Sequence, residues 1–323
     1  MFVVSPSAEN DRSVYPVEED EEEDTIHVFP TKWMEHLPAS VVEKVPLTQL
    51  VWPGSSHAGS YTVSATANDW VDEGFVERMT RQLFLDRARS VAHVQILSLA
   101  KQVMAGSRFL DVRITPMNGV PHLHNKAVGT PFIPELQTLL AHLERYPKEV
   151  VVCWIQPSSA YTTATFTAAL CEVRDVCGAA LVSRETCSAT STLQDVYAAR
   201  GGRGGIVLLA DAHNVTELLP EVWYDIGANA DVVSLNITQS DSVAKELDVV
   251  YRERQKATRL HIVDICATPS LLDGTVIGSH YPVLRQLRLH LNQKRWKRMN
   301  CVLVPSIEHL SPVMVALIRL NFV

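Results

Sequence analysis

The sequence predicts an α/β protein in which a single domain forms an irregular parallel β/α barrel, closed or nearly closed. Short, continuously apolar runs recur along the chain, and such runs are typical of strands that are covered on both faces. They lie at residues 150–155, 206–210, 232–235, 260–265 and 301–304. The stretches between them are long enough for crossover helices, and the composition does not break within residues 29–323. Alternating strands and helices of this kind favour one curled sheet over two separate domains.

Other segments complete the predicted order of elements. Residues 31–40 suit a short helix beneath the barrel, with Trp33 and Leu37 four residues apart. Residues 70–105 are largely helical by period, and Gly106 is placed to end that helix. A strand at 107–114 and helices at 135–145 and 311–321 are also expected.

Residues 1–28 are predicted to be a disordered acidic tail. The segment is polar, contains Pro6 and Pro16, and carries seven consecutive acids from Glu18 to Asp24. A run of like charges is usually solvated. The alternative is a regulatory arm that repels anionic membranes or covers a basic patch.

The composition excludes several classes of function. The formal net charge is −7, which the seven acids of the tail account for, so the folded body is close to neutral and nucleic acid is not an expected partner. No run of 18 apolar residues occurs, so no transmembrane segment is expected. The amino terminus lacks a secretory signal pattern, and the six cysteines are scattered. We therefore expect a cytoplasmic protein with reduced thiols.

Chemistry is expected where the apolar runs end. An apolar run near residue 50 stops at Pro53-Gly54, which places His57 at the carboxyl end of a buried strand. Barrel enzymes carry their active sites at that end. Asp111 and Arg113 are two residues apart on a strand, so they share one face, where mutual pairing would offset the cost of burying their charges.

These motifs resemble the X domain of the phosphatidylinositol-specific phospholipase C family. The resemblance is carried by Pro-Gly-Ser-Ser-His at 53–57, Phe-Leu-Asp-Val-Arg at 109–113 and Leu-Glu-Arg-Tyr-Pro-Lys-Glu-Val-Val at 143–151. It implies a TIM-barrel-like fold and a phosphoric diester hydrolase. Such an enzyme would cleave an inositol phospholipid at a membrane surface into diacylglycerol and a cyclic inositol phosphate.

The resemblance also implies residue roles. His57 would take the proton from the inositol 2-hydroxyl, Arg113 would stabilise the phosphate charge, and His124 rather than His122 would protonate the leaving oxygen. Asp111 and Asn236 would line the substrate site.

No metal or other cofactor is expected. Ala58 and Arg113 stand where calcium-dependent members of the family carry calcium ligands. Another hypothesis, glycerophosphodiester hydrolysis, requires a metal site formed by acidic residues, which the sequence does not supply.

The sequence departs from the family around His57. The family often supplies a carboxylate from the last strand to orient this histidine, but Pro305 or Ser306 stands there. Asp264 and Glu308 are the candidate substitutes. The alternative to an enzyme is therefore a catalytically weak or inactive barrel that binds phospholipid headgroups or a protein partner. The glycine-rich segment 200–205 fits no nucleotide-binding pattern and is interpreted as a loop that enters the next strand.

Overall fold

The structure is a computed structural model. It describes residues 28–62, 70–72, 74, 78–79, 82–210, 215, 219–224, 230–236, 260–266, 276–291, 300–307 and 311–322. The predicted acidic tail lies outside these residues apart from its last residue, and the candidate Glu308 also lies outside them.

Strands and helices alternate along most of the chain. The strands are β1 Trp52–Ser55, β2 Phe109–Met117, β3 Val120–Asn125, β4 Ala127–Pro131, β5 Val150–Pro157, β6 Gly205–Ala210, β7 Trp223–Tyr224, β8 Ala230–Asn236, β9 Leu260–Cys266 and β10 Cys301–Val304. The described helices are α1 Ala39–Lys44, α2 Leu85–Ala92, α3 Leu99–Met104, α4 Phe132–Arg145, α5 Thr163–Cys177, α6 Leu193–Ala199, α7 Val276–Leu291 and α8 Pro312–Arg319. The apolar runs at residues 150–155, 206–210, 232–235, 260–265 and 301–304 form strands, as predicted. The prediction that Pro53-Gly54 stops the first strand is wrong, because both residues lie within β1 and Leu47–Gln49 before it form a 3-10 turn.

The strands form one curled sheet, which confirms the barrel-like α/β fold. Its order is β7-β6-β5-β2-β1-β10-β9-β8, and every neighbouring pair on this path is parallel. β7 and β8 end the path of hydrogen-bonded strands in the described part of the chain. The first strand in sequence, β1, therefore lies between β2 and β10, near the middle of the sheet.

Alternate residues of each strand face opposite layers, which determines which side chains point into the barrel. Phe109 of β2 and Trp154 of β5 pack edge to face inside it, with ring centroids 6.4 Å apart. Leu110 and Val112 of β2 instead pack in the layer of α4, whose Leu139 is fully buried. Positions 111 and 113 consequently share the inner face with Phe109.

An antiparallel hairpin interrupts the parallel pattern, contrary to the prediction of a parallel sheet alone. β2 continues past residue 114 and pairs with β3, which pairs with β4. The turn consists of Asn118 and Gly119, with φ of 52° and 81°. Two central residues with positive φ define the tight hairpin turn that Asn-Gly favours, because its twist matches that of the strands. The hairpin folds the segment of His122 and His124 back beside β2.

The single helix predicted over residues 70–105 is wrong in two places. Residues 70–72 and 74 are not helical, and Trp70 forms an isolated bridge with Ala127. Residues 93–98 are not helical either and separate α2 from α3. In this segment the backbone N–H groups of Val94 and Gln95 donate to Ser60 Oγ. The Gln95 side chain donates to the carbonyl oxygens of Ser56 and Val304, at the ends of β1 and β10. These bonds satisfy the backbone without a helix and fasten the segment across the strand ends. Gly106 ends α3 as predicted, with φ of 112°.

A buried ion pair lies at the end of the barrel where the parallel strands begin. Residues Pro30–His36 form a 3-10 turn whose Trp33 is fully buried, as expected for a segment beneath the barrel. Next to it, Arg108 Nε donates to Glu149 Oε2 at 2.8 Å, and neither side chain is exposed. Arg108 also donates to carbonyl oxygens of Val103, Ser107, Pro30 and Thr31.

Candidate active site

His57 is held in a strained backbone conformation just beyond β1. Its φ and ψ are 50° and 49°, in the left-handed region that only glycine adopts without cost. The His57 N–H donates to Asp111 Oδ2 at 3.0 Å, so a buried carboxylate fixes this conformation. Gly54 lets β1 approach its neighbours, because a Cβ there would clash with the Leu303 side chain. Strain of this kind, fixed by surrounding contacts, is characteristic of functional positions.

The His57 ring has polar partners on its Nδ1 side. Nδ1 lies 2.8 Å from Ser56 Oγ and 3.4 Å from Asp111 Oδ2, and the side chain is 14% exposed. Asp264 lies close behind: one ligand atom each from His57, Asp111 and Asp264 are all within 4.8 Å of one another. Of the two candidate substitutes for the missing carboxylate, Asp264 is therefore beside His57.

Asp264 reaches this position because it continues the inward-facing row of β9 that contains Leu260 and Ile262. Burial raises the pKa of the Asp264 carboxyl, and the charge of Asp111 adds to this effect. His57 and the Ser56 hydroxyl oppose it, because both favour the ionised carboxylate. The carboxyl of Asp264 thus becomes a better anion when a positive charge develops on the imidazole.

Asp111 is fully buried and ionised. Burial alone would raise its pKa, but the Arg113 guanidinium and hydrogen bonding to His57 outweigh burial and hold the pKa well below its ordinary value. Its second oxygen accepts a hydrogen bond from Gln156 Nε2 at 2.6 Å. Arg113 lies on the same face of β2, with Nη2 3.5 Å from Asp111 Oδ2, and its side chain remains 32% exposed. The guanidinium therefore bridges the buried carboxylate and the open side of the site.

His124 lies on β3, where the hairpin places it beside β2. The side chain is 5% exposed, and neither ring nitrogen has a hydrogen-bond partner among the described residues. Burial lowers the pKa of His124 to about 4; Arg113 and His57 also lower it, whereas Asp72 and Asp111 oppose the shift. These interactions place His124 in the electrostatic neighbourhood of the other three predicted residues. The imidazole is neutral at pH 7.

Three further positions that the sequence analysis named lie within the described residues: Asn236, Ser306 and Ala58. Asn236 ends β8, and its backbone pairs with Cys266 two residues beyond Asp264, so it lies at the same end of the sheet. At the last-strand position, Ser306 Oγ donates to the carbonyl oxygen of Val94 rather than to His57. Ala58 is fully buried and carries no polar side chain into the site.

Sequence reasoning missed Ser56, Gln156 and Gln95. Ser56 directly precedes His57, and Gln156 is the first polar residue after the apolar run of β5, paired in register with Arg113. Both could have been found by asking which inward-facing position of each strand first turns polar. Gln95 gave no such signal, because it lies in a segment with helical periodicity.

Three residues of the candidate site could also hold a metal ion. His57, Asp111 and Asp264 form the group of suitable geometry in the described part of the chain. The Arg113 guanidinium beside Asp111 disfavours a divalent cation there, because the like charges repel. Metal independence stays a prediction.

Together these groups have the properties that phosphodiester cleavage requires. A partly exposed imidazole is backed by two carboxyl groups, and a guanidinium is directed to the open side. The charges of these groups also act on a second imidazole, that of His124. None of the helices that the structure describes contains an apolar stretch of the length that a membrane span requires.

The comparisons with known proteins agree with this architecture. No family model matches the sequence, and no curated protein matches it. Among solved structures, the chain is similar to the phosphatidylinositol-specific phospholipase C from Listeria monocytogenes, with 19% identity and a TM-score of 0.66 over 91% of this chain and 99% of that one. It is also similar to the phosphatidylinositol-specific phospholipase C of S. aureus, with 14% identity and a TM-score of 0.64 over 89% and 97%. At such identities the likeness establishes the fold, which is the TIM-barrel-like fold of these bacterial enzymes.

Proposed function

We propose that the chain is a phosphoric diester hydrolase of the phosphatidylinositol-specific phospholipase C type. It would cleave an inositol phospholipid into diacylglycerol and a cyclic inositol phosphate. The observation that carries this proposal is the cluster of His57, Asp111, Arg113 and Asp264, which lie on or just beyond β1, β2 and β9 at one end of the sheet.

His57 acts as the general base. With Nδ1–H donating to Ser56 Oγ, the Nε2 lone pair is free to accept the proton of the inositol 2-hydroxyl as its oxygen attacks phosphorus. The imidazolium formed in this step lies close to the carboxyl groups of Asp111 and Asp264, which stabilise it. Arg113 stabilises the negative charge on the non-bridging phosphate oxygens.

His124 acts as the general acid, and its burial sets a condition on this role. With a pKa of about 4, the free imidazole is almost entirely deprotonated at pH 7. An anionic phosphodiester bound beside it raises its pKa, because an opposite charge within a few ångströms favours the protonated form. The substrate thus helps to charge the acid that then protonates the diacylglycerol oxygen as the phosphorus–oxygen bond breaks.

The substrate is a membrane lipid, so the protein would work at a membrane surface as a peripheral protein. We retain the sequence-based proposal of a cytoplasmic location with no nucleic-acid partner. Asn236 is proposed to line the mouth, since β8 ends there.

A second candidate function is supported by the neutral state of His124. A barrel whose acid is uncharged at pH 7 would hold phospholipid headgroups through Arg113 without turning them over. The fold and the anion-binding guanidinium are the same in both cases, so only turnover separates them.

The distinguishing experiment is the incubation of the protein with phosphatidylinositol vesicles in EDTA, followed by ³¹P NMR. A cyclic phosphodiester signal that grows with time is expected from the metal-independent enzyme. Vesicle binding without any product would support the headgroup-binding barrel. Product that forms only after calcium is added would contradict metal independence.

A further inference from the structure

A cavity of about 360 Å³ lies at the end of the barrel remote from His57. It is bounded by the last turns of α4 and α5 and by the loop that enters β6. Most of its wall is apolar, formed by Leu140, Leu143, Pro147, Val176, Cys177, Ala179 and Ala180. Its volume falls at the lower end of the range for small-molecule sites.

Arg200 brings positive charge into this apolar space. Its side chain is half-buried, Nη1 donates to the carbonyl oxygen of Leu181 at 2.8 Å, and the guanidinium packs onto Gly205. Its Nε is buried and has no hydrogen-bond partner in the described residues. A buried guanidinium N–H without an acceptor costs free energy, so the hydrogen-bonding capacity of this arginine is incompletely satisfied by the described residues.

In the described part of the chain, no carboxylate forms an ion pair with Arg200. Arg203 also lines the cavity, and burial together with the charge of Arg203 lowers the pKa of Arg200. Glu144 lines the cavity but is exposed, and within the described part of the chain it forms no ion pair with either arginine. Lys148 Nζ donates a hydrogen bond to the carbonyl oxygen of Gly202 at 2.8 Å.

The glycines of this loop have structural roles. Gly201 and Gly202 have positive φ, and a Cβ at Gly204 would lie 2.2 Å from the Glu149 carbonyl oxygen. The N–H groups of Gly202 and Gly204 donate to Tyr197 and Pro147 carbonyl oxygens. These amides therefore do not cradle a phosphate, and recognition of an anion would depend on the guanidinium.

We propose that this cavity binds a small amphiphilic monocarboxylate, with the carboxylate on Arg200 and a short aliphatic chain against the apolar wall. A monoanion fits better than a phosphate dianion, because one half-buried guanidinium cannot offset the desolvation of two charges. Arg203, at the exposed edge, would attract the anion but contribute less to its binding.

The site does not depend on the proposed phospholipase activity. Its residues precede β5 and β6, whereas His57 and its partners lie where the strands end. Substitution of His57 should therefore leave carboxylate binding unchanged, and substitution of Arg200 should leave phosphodiesterase activity unchanged.

Isothermal titration of the full chain with hexanoate tests the proposal. Saturable one-to-one binding is expected, whereas hexan-1-ol, which lacks the charge, and acetate, which lacks the chain, bind much more weakly. Arg200→Met should weaken hexanoate by about 10- to 100-fold, the effect of losing a charge-assisted hydrogen bond. Arg203→Met should weaken it by about two- to fivefold, as for an exposed charge.

Controls keep the test decisive if Arg200→Met does not fold. Ala179→Trp, at an exposed position of the cavity wall, should abolish hexanoate binding by occupying the space. Arg145→Met removes an exposed charge outside the lining and should leave the affinity unchanged. Equal affinity for hexanoate and hexan-1-ol, or hexanoate binding that survives Ala179→Trp, would overturn the proposal.

Discussion

The protonation of His124 is the property of the site that can be measured most directly in the free protein. Its pKa of about 4 lies well below the ordinary value of about 6.5, because the ring is buried without a hydrogen-bond partner in the described residues. At pH 7 about one molecule in a thousand would carry the proton. NMR titration of the histidine ring signals, assigned with His124→Gln, should show His124 titrating near pH 4.

The same shift predicts how stability depends on pH. The folded pKa is lower than the unfolded pKa, so the unfolded chain binds the proton more readily. The stabilisation from a neutral His124 is complete above pH 6.5 and is lost as the pH falls towards 4. The loss is about 3 kcal/mol at pH 4. Burial near Arg108 and Arg145 also lowers the pKa of His142 to about 4, so this residue contributes to the same pH window.

Urea unfolding of the wild type and His124→Gln at pH 7 and pH 4 isolates the contribution of His124. Between the two pH values, the wild type should lose about 3 kcal/mol more than the variant, and His142 cancels in the difference. Titration of His124 near pH 6.5, with equal losses in both proteins, would refute the reasoning from burial. Addition of an inositol phosphate should raise the pKa of His124 by about 1–3 units.

Three further perturbations follow from the described contacts. Asp264→Asn should lower turnover of phosphatidylinositol by about 10²–10⁴-fold with little change in vesicle binding, because it removes the carboxylate behind His57; equal turnover would show that Asp264 does not orient the base. Arg113→Met should weaken both turnover and inositol phosphate affinity, measured by calorimetry, whereas unchanged affinity would remove Arg113 from the phosphate site. Glu149→Ala should destabilise the fold by about 3–5 kcal/mol in urea unfolding, since Arg108 is left buried without its partner; a change below about 1 kcal/mol would contradict the buried ion pair.

Much of the barrel could be predicted because its strands are buried on both faces. A run such as residues 150–155 is apolar at every position, so it identifies the strand without any knowledge of its neighbours. The inward row of β2 also followed from sequence, since Asp111 and Arg113 share a face by the two-residue period. The helix prediction failed at residues 93–98. This segment has helical periodicity, but its backbone hydrogen bonds go to Ser60 and to a strand end far away in the chain.

Individual site residues could be predicted where they lie at the end of an apolar run, because the sequence alone shows where such a run ends. Asp264 could be proposed as a partner of His57 but not selected over Glu308, because the order of β1, β10 and β9 in the curled sheet cannot be read from the sequence. The Asn118-Gly119 turn was a readable signal for the hairpin that carries His124. The low pKa of His124 was not readable, since it depends on burial by residues from other elements.

The release of cyclic inositol phosphate by four proteins at pH 7 tests the proposed catalysis most directly. They are the wild type, His57→Ala, His124→Ala and His122→Ala, the last being a control on the same strand whose Nδ1 lies against the Val120 carbonyl oxygen. Loss of the base or of the acid should each reduce the rate by about 10²–10⁴-fold, while His122→Ala matches the wild type. Equal rates from all four proteins would contradict catalysis by these histidines and leave the headgroup-binding barrel.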